Sequence, residues 1–250
     1  VKVYATKDGY INSEERVLNF AERANDSYTP YFGQIHSHTN YSDGAGTPKE
    51  AFEHASEKVD NLDFLAITDH SNYFDNDTSC NITDGSASTE WQEGHKLADE
   101  FTTDKFVGLM GYEMTWSGGA PGHMNTFNTA GFLSRNDTGY GNGSSASLVN
   151  YYAALKTVPD SISQFNHPGT TFGDFYDFAY YDSEIDQLIT TIEVGNGEGA
   201  IRSAGYFPSY EYYTRALDKG WHIAPTNNQD NHKGFWGDAN TARTVILADS

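Results

Sequence analysis

Short hydrophobic segments of this chain end, one after another, on residues whose side chains can hold a metal ion. The first segment, residues 31–35, leads into His36-Ser37-His38. Side chains two positions apart in a strand point to the same face, so both imidazoles would aim at one point. A lone pair of this kind is weak evidence. Further segments end in the same way, at or near His70, Glu113, His123, His167, Glu193, Asp230 and His232.

Strand-like and helix-like segments alternate along the chain. We predict eight strands, over residues 31–38, 64–70, 106–115, 124–131, 162–167, 188–196, 222–226 and 244–248. Several of them are apolar or β-branched almost throughout, which is typical of a parallel sheet covered on both faces. Helices are predicted over 47–59, from residue 89, and over 147–156 and 209–219. This alternation predicts a single α/β domain.

The placement of the polar residues favours a barrel over an open sheet. In parallel α/β barrels, functional residues come from the C-terminal ends of many strands and meet over one mouth. An open sheet gathers them mainly at one switch point. Seven segments contribute here, so we predict a closed ring within one domain, residues 1–250, of which residues 1–30 form an N-terminal extension. The sequence starts at Val1 rather than methionine, so we expect flanking sequence to be missing.

The charge of the chain restricts its partners. There are 35 acidic and 15 basic residues, a net charge of −20. Such a surface repels polyanions, so we expect no duplex nucleic acid partner. No apolar run approaches the ~18 residues of a membrane span. The wealth of Asn, Asp, Gly, Ser and Tyr resembles exported or cell-surface proteins of Gram-positive bacteria, with a cytoplasmic location as the alternative.

The ordered motifs resemble those of the PHP (polymerase and histidinol phosphatase) metallohydrolases. They are His36-x-His38 with Asp43, Thr68-Asp69-His70, Glu113, His123, Asn166-His167-Pro168-Gly169 and Asp230-x-His232. The surroundings of Glu113, His123 and Glu193 look more narrowly like the CehA/McbA-like subgroup of this family. The resemblance implies a distorted, TIM-barrel-like (β/α)7 fold and a centre of two or three divalent metal ions.

Carried over position by position, the resemblance implies nine metal ligands in three sets. These are His36, His38, Glu113 and Asp230; Glu113, His123 and His167; and Asp43, His70 and His232. Glu113 would bridge the first two ions. Zinc, manganese and iron are the candidate metals, and the carboxylate of Asp43 shifts the third ion from zinc toward manganese or iron.

The implied activity is hydrolysis of small phosphate esters by a metal-bound hydroxide. We expect Glu113, Asp230 and Glu193 in the catalytic centre, Glu193 as a substrate contact or as the partner of a ligand. Three carboxylates against three divalent ions leave the filled site cationic, so it should attract a small anionic phosphate ester. Arg202 and Lys233 are candidate phosphate-binding cations, with ordinary surface charge as the alternative.

Two other functions remain open from the sequence. The same metal centre would also suit a carboxylic or carbamic ester, and one branch of the family looks to have turned to carbamate-like esters. A barrel retained as a non-catalytic metal-binding or structural module is the other alternative. Relatives of that kind lose ligands, whereas all nine positions here carry residues able to coordinate.

Overall fold

The computed structural model describes residues 2–3, 16–17, 28–118 and 120–249. Two compact units are distinguished, residues 31–246 and residues 1–30 together with 247–250. In the smaller unit, β1 (Lys2–Val3) pairs antiparallel with β2 (Arg16–Val17). The proposed N-terminal extension lies largely outside the described residues, so the domain limits stay a prediction.

The main sheet contains nine strands. They are β3 (Thr29–Gln34), β4 (Phe64–Ile67), β5 (Val107–Thr115), β6 (His123–Phe127), β7 (Ile162–Asn166), β8 (Ile189–Asn196), β9 (Phe207–Pro208), β10 (Ala224–Asn227) and β11 (Thr244–Ala248). Their order across the sheet is β10, β8, β7, β6, β5, β4, β3, β11, and the short β9 pairs with β8. All eight predicted strands are present, with ends shifted by a few residues.

Strand β6 runs against the predicted parallel direction. β3, β4 and β5 are mutually parallel, as are β7, β8 and β10, but β6 is antiparallel to both of its neighbours, β5 and β7. Only seven residues separate Thr115 from His123. A parallel crossover needs about a dozen residues or more, so this connection can only turn the chain back.

The sheet curls so that the segments after β3 and β10 meet at the C-terminal side of the strands. Ser37, after β3, forms a parallel bridge with Asn231, after β10. The backbone N–H of His38 donates to the Asn231 carbonyl at 2.9 Å, and that of Gln229 donates to Gln34 Oε1 at 2.8 Å. The predicted α/β fold of distorted barrel type is therefore confirmed, with β6 as its departure from a regular barrel.

The helices cover the outer face of this sheet. They are α1 (Pro48–Lys58), α2 (Thr89–Phe101), α3 (Ser145–Leu155), the single turn α4 (Phe175–Phe178) and α5 (Tyr210–Asp218). As the sequence predicts, Thr47 caps α1: its Oγ1 accepts from the Glu50 backbone at 3.2 Å, and the Glu50 carboxylate accepts from the Thr47 backbone at 2.7 Å. No helix in the described part of the chain has the length and hydropathy needed to cross a lipid bilayer.

Helix α2 packs against strand β5 so closely at Gly108 that a side chain has no room. A Cβ atom there would lie 2.7 Å from the Ala98 carbonyl oxygen and 3.1 Å from its Cα. We expect Gly108→Ala to lower the free energy of unfolding by about 1–3 kcal/mol, the usual cost of overpacking. Gly141, where a Cβ would meet open space, provides the control. Gly141→Ala should stay within about 0.5 kcal/mol in urea titrations, and equal stability of the two variants would refute this packing account.

Candidate metal centre

The nine candidate ligands meet at the mouth of the curled sheet, although they come from six different strands or the segments that follow them. Seven of the candidate ligands lie in the loops that follow β3, β4, β7 and β10. Glu113 lies near the end of β5. His123 is the first residue of β6. Because β6 is antiparallel, its beginning lies at the same end of the sheet as the C-terminal ends of its neighbours.

The first set of donors lies around His36 Nε2. His36 Nε2 lies 3.2 Å from His38 Nε2, 3.3 Å from Glu113 Oε1 and 3.2 Å from Asp230 Oδ1. His38 Nε2 lies 3.0 Å from the same Asp230 oxygen. Two ligands of a tetrahedral zinc ion, each ~2.0–2.1 Å from the metal, are roughly 3.3 Å apart. These spacings fit His36, His38 and Glu113 as ligands of a single ion, since donor atoms of these three residues all lie within 4.8 Å of one another.

The second set is centred on the same carboxylate. Glu113 Oε1 lies 3.3 Å from His123 Nδ1 and 3.4 Å from His167 Nε2. Donor atoms of these three residues all lie within 4.8 Å of one another, as do those of His36, His167 and Asp230. Because Glu113 Oε1 faces ligands of two sets, it is placed as a bridging carboxylate would be.

The third set contains one residue more than the sequence predicted. His38 joins Asp43, His70 and His232, with donor atoms of all four within 4.8 Å of one another. Asp43 Oδ1 lies 3.5 Å from His70 Nε2 and 3.3 Å from His232 Nε2. The Asp43 side chain is 48% exposed, so this set lies at the solvent side of the cluster.

The electrostatics of the cluster keep its carboxylates ionised. Burial alone would raise the pKa of Glu113, but the neighbouring His123, His70 and His36 hold that pKa well below its usual value. Burial together with His70 and His232 lowers the pKa of His38 to about 3. Glu113 and His38 are therefore in the forms that bind metal ions, an ionised carboxylate and a neutral imidazole.

Two buried donor atoms support the fit of the site to metal ions. His123 Nδ1 and Asp230 Oδ1 are buried and lie 3.0–3.3 Å from other donor atoms of the cluster, but neither makes an aligned hydrogen bond with the described residues. Buried polar atoms are normally paired, and an ion is one of the recognised explanations for an exception. The donor set of imidazoles and carboxylates suits zinc, manganese or iron.

Glu193 lies behind the cluster, where it is fully buried. Its Oε1 accepts from Asn228 Nδ2 at 3.0 Å and faces His36 Nδ1 at 2.9 Å, while Oε2 accepts from the His167 backbone at 2.7 Å and Asn196 Nδ2 at 2.9 Å. With both oxygens occupied in this way, the geometry favours the second of the two predicted roles, the partner of a ligand. A carboxylate on Nδ1 fixes the tautomer in which Nε2 is free for a metal.

A layer of buried amides, which the sequence did not reveal as part of the site, supports these carboxylates. Asn166 Nδ2 donates to Glu113 Oε1 at 2.7 Å, and Gln164 Nε2 donates to Asn166 Oδ1 at 2.9 Å. Thr115 Oγ1 lies 2.7 Å from His70 Nδ1. Gln164 and Asn166 are two positions apart in β7, so their side chains point to the same face of the sheet. This spacing is the one signal in the sequence that would have placed both side chains inside the barrel.

A cavity of about 620 Å³ opens beside the cluster. His167 and Asp230 line it together with Lys233, whose Nζ is paired with Glu198 at 2.9 Å. Among the described residues around this cavity, Arg202 is not present. Of the two candidate cations, Lys233 lines this cavity and Arg202 does not.

We expect Glu193→Gln to weaken metal binding rather than to abolish it. Each carboxylate oxygen of Glu193 faces two groups. Replacing either oxygen with the amide nitrogen of glutamine would therefore lose the two interactions made at that position. Loss of such a partner costs about 10–100-fold in metal affinity. Competition with a chelator measures this affinity, and Glu211→Gln, an exposed change in α5, is the matched control. Unchanged affinity in Glu193→Gln would contradict the orienting role.

The fold and the site together define a barrel-like protein with clusters of His, Asp and Glu at its mouth that are able to hold metal ions. The model of the PHP domain matches residues 34–219, most of the chain. The chain belongs to the PHP domain family. No curated protein matches the sequence.

One of the solved structures that resemble this chain shows the same fold. A two-domain protein from Bacteroides vulgatus, described as containing a predicted PHP-like metal-dependent phosphoesterase, aligns with 92% of this chain at 20% identity and a TM-score of 0.56. This chain spans 64% of the length of that protein. A proposed metal-dependent phosphoesterase from Bifidobacterium adolescentis is 16% identical to this chain, with a TM-score of 0.46. The alignment covers 80% of this chain and 87% of that protein.

Proposed function

We propose that this chain is a metal-dependent hydrolase of small phosphate esters and belongs to the CehA/McbA-like subgroup of the PHP family. Family membership and the phosphoesterase description of the Bacteroides protein support the class of reaction. The subgroup rests on the motifs around Glu113, His123 and Glu193.

The observation that carries the proposal is the junction between the donor cluster and the 620 Å³ cavity. His167 and Asp230 belong to both. Small-molecule sites typically measure about 300–1,000 Å³. A molecule in this cavity would therefore have its reacting group beside the metal ligands and the rest of its body against the cavity wall.

The residues of the chain divide the work of such a reaction. Divalent ions at the cluster would lower the pKa of water and neutralise charge on the phosphoryl group. Glu113 and Asp230 would hold the ions. Glu193 orients His36, and Lys233 supplies positive charge at the cavity for an anionic substrate or leaving oxygen.

A substrate screen on metal-loaded protein tests this function. Zinc, manganese and iron are supplied separately, and phosphomonoesters, small phosphodiesters, carboxylic and carbamic esters, and DNA are compared. We expect turnover of small phosphate esters, loss of that turnover with a chelator, and weaker activity on DNA because the chain is strongly acidic. Turnover of carboxylic or carbamic esters alone would replace the phosphatase proposal. Failure on every class, with metal bound, would favour a non-catalytic module.

A further inference from the structure

A second cavity, of about 350 Å³, lies next to the first one at the metal cluster. Thr171 and Phe172 line both cavities and so form the boundary between them. The remaining lining of the smaller cavity comes from the segment after β5 and from the start of β6, namely Thr115, Trp116, Ser117, Gly118 and His123.

The two cavities reach different ligands of the same donor set. His167 lines the larger cavity and His123 the smaller one. Both lie 3.3–3.4 Å from Glu113 Oε1. The Phe172 ring packs against both imidazoles, with centroid distances of 5.2 Å to His123 and 4.7 Å to His167. A group held at this donor set therefore has a separate cavity on each side of Phe172.

The two cavities also differ in chemistry. The larger one contains the charged pair Lys233 and Glu198 as well as the exposed ring of Phe207. The described lining of the smaller one contains no lysine, arginine or carboxylate. Its polar side chains are the hydroxyls of Thr115, Ser117 and Thr171, His123, and Trp116, whose indole N–H donates to the Tyr140 carbonyl at 2.8 Å. The smaller cavity therefore suits a small neutral group and the larger one a bulkier, polar or ring-bearing group.

We propose that the substrate is a phosphodiester with two unequal substituents, one in each cavity. This inference rests on the proposed phosphoesterase function and narrows its substrate class. A phosphomonoester carries a single organic substituent and would leave one cavity unused. A diester places its phosphoryl group at the donor set and fills both cavities, with Phe172 between its substituents.

The reaction is a hydrolysis. The oxygen of one water forms a bond to phosphorus, and the bond from phosphorus to the ester oxygen in the larger cavity breaks. The electron pair of that bond stays with the departing oxygen, which takes a proton from the water. The products are an alcohol and a phosphate monoester that keeps the smaller substituent. Lys233 in the larger cavity favours charge developing on the departing oxygen.

The test compares methyl 4-nitrophenyl phosphate with 4-nitrophenyl phosphate on the metal-loaded enzyme. Ser117→Phe fills the smaller cavity, Ala204→Phe fills the larger one, and the exposed Ser183→Phe is the matched control. We expect Ser117→Phe to lower the diester-to-monoester ratio of kcat/KM about 10-fold, as loss of room for one methyl group does. Ala204→Phe should lower both rates and change the ratio less than Ser117→Phe does. An unchanged ratio in Ser117→Phe would overturn the inference.

Binding of inert analogues gives a second readout that needs no turnover. Phenyl(methyl)phosphinate has two substituents on phosphorus and phenylphosphonate has one, and neither contains an ester bond. Calorimetry should show that Ser117→Phe weakens the phosphinate about 10-fold more than the phosphonate, and equal weakening would overturn the inference. If the monoester is hydrolysed but Ser117→Phe leaves the diester-to-monoester ratio of kcat/KM unchanged, only the diester inference is refuted. If no phosphate ester is hydrolysed, the proposed function is refuted.

Discussion

Glu113→Gln is expected to remove turnover almost completely and to strip metal from more than one set of ligands. The Glu113 carboxylate lies 3.3–3.4 Å from His36, His123 and His167, and its second oxygen lies 2.5 Å from His70 Nδ1. Loss of an outer partner alone costs about 10–100-fold. Because Glu113 is itself a candidate ligand of two ions, we expect kcat/KM to fall at least about 1,000-fold.

Asp43→Asn is the matched control for this experiment. It makes the same carboxylate-to-amide change, but Asp43 belongs to the third set only and is half-exposed. We expect a smaller loss, about 10–100-fold, and bound metal at the other two sets. Metal content by elemental analysis and steady-state kinetics measure both effects. Equal losses in the two variants at saturating metal would contradict the bridging position of Glu113.

Metal loading is expected to raise the thermal midpoint of the chain by about 10 °C or more. Without ions, the cluster gathers the carboxylates of Asp43, Glu113 and Asp230 and six imidazoles at one mouth. An ion at about 1,000 times its Kd contributes about 4 kcal/mol of stability. For a chain of 250 residues, each kcal/mol raises the midpoint by about 2–4 °C.

Calorimetric scans of chelator-treated protein with and without added zinc, manganese or iron measure this shift. The shift should be largest for the metal that best supports turnover and should shrink strongly in Glu113→Gln. Gly141→Ala, which changes no candidate ligand, should keep the full shift. A midpoint that no added metal raises would show that the cluster does not bind these ions tightly.

The strands and most helices could be predicted from local patterns, because each pattern reports on its own segment. Runs such as Phe64–Ile67 are buried throughout, and the capping sequence Thr47 to Glu50 marks the start of α1. The reversed direction of β6 was missed, since the pattern of a strand does not report its direction. The seven-residue connection before His123 was the available signal.

The candidate metal ligands could be identified from the sequence, but most of the residues that form hydrogen bonds beneath them could not. Residues such as His36 and His167 could be found because they end hydrophobic segments in a known order of motifs. The presence of His38 in two donor sets depends on how the loop after β3 bends, which sequence spacing does not define. Gln164 and Asn228 look like ordinary polar residues in the sequence, and only the curled sheet brings them beneath the carboxylates.

A crystal structure of the metal-loaded protein, with anomalous diffraction measured at the absorption edge of the added metal, tests the central claim most directly. We predict two or three anomalous peaks at the mouth of the barrel, each about 2.0–2.3 Å from donor atoms of the three sets. Glu113 should contact two of these ions, which should be about 3.5–4 Å apart. Full metal loading with no peak within bonding distance of Glu113, His36 or His167 would contradict the account.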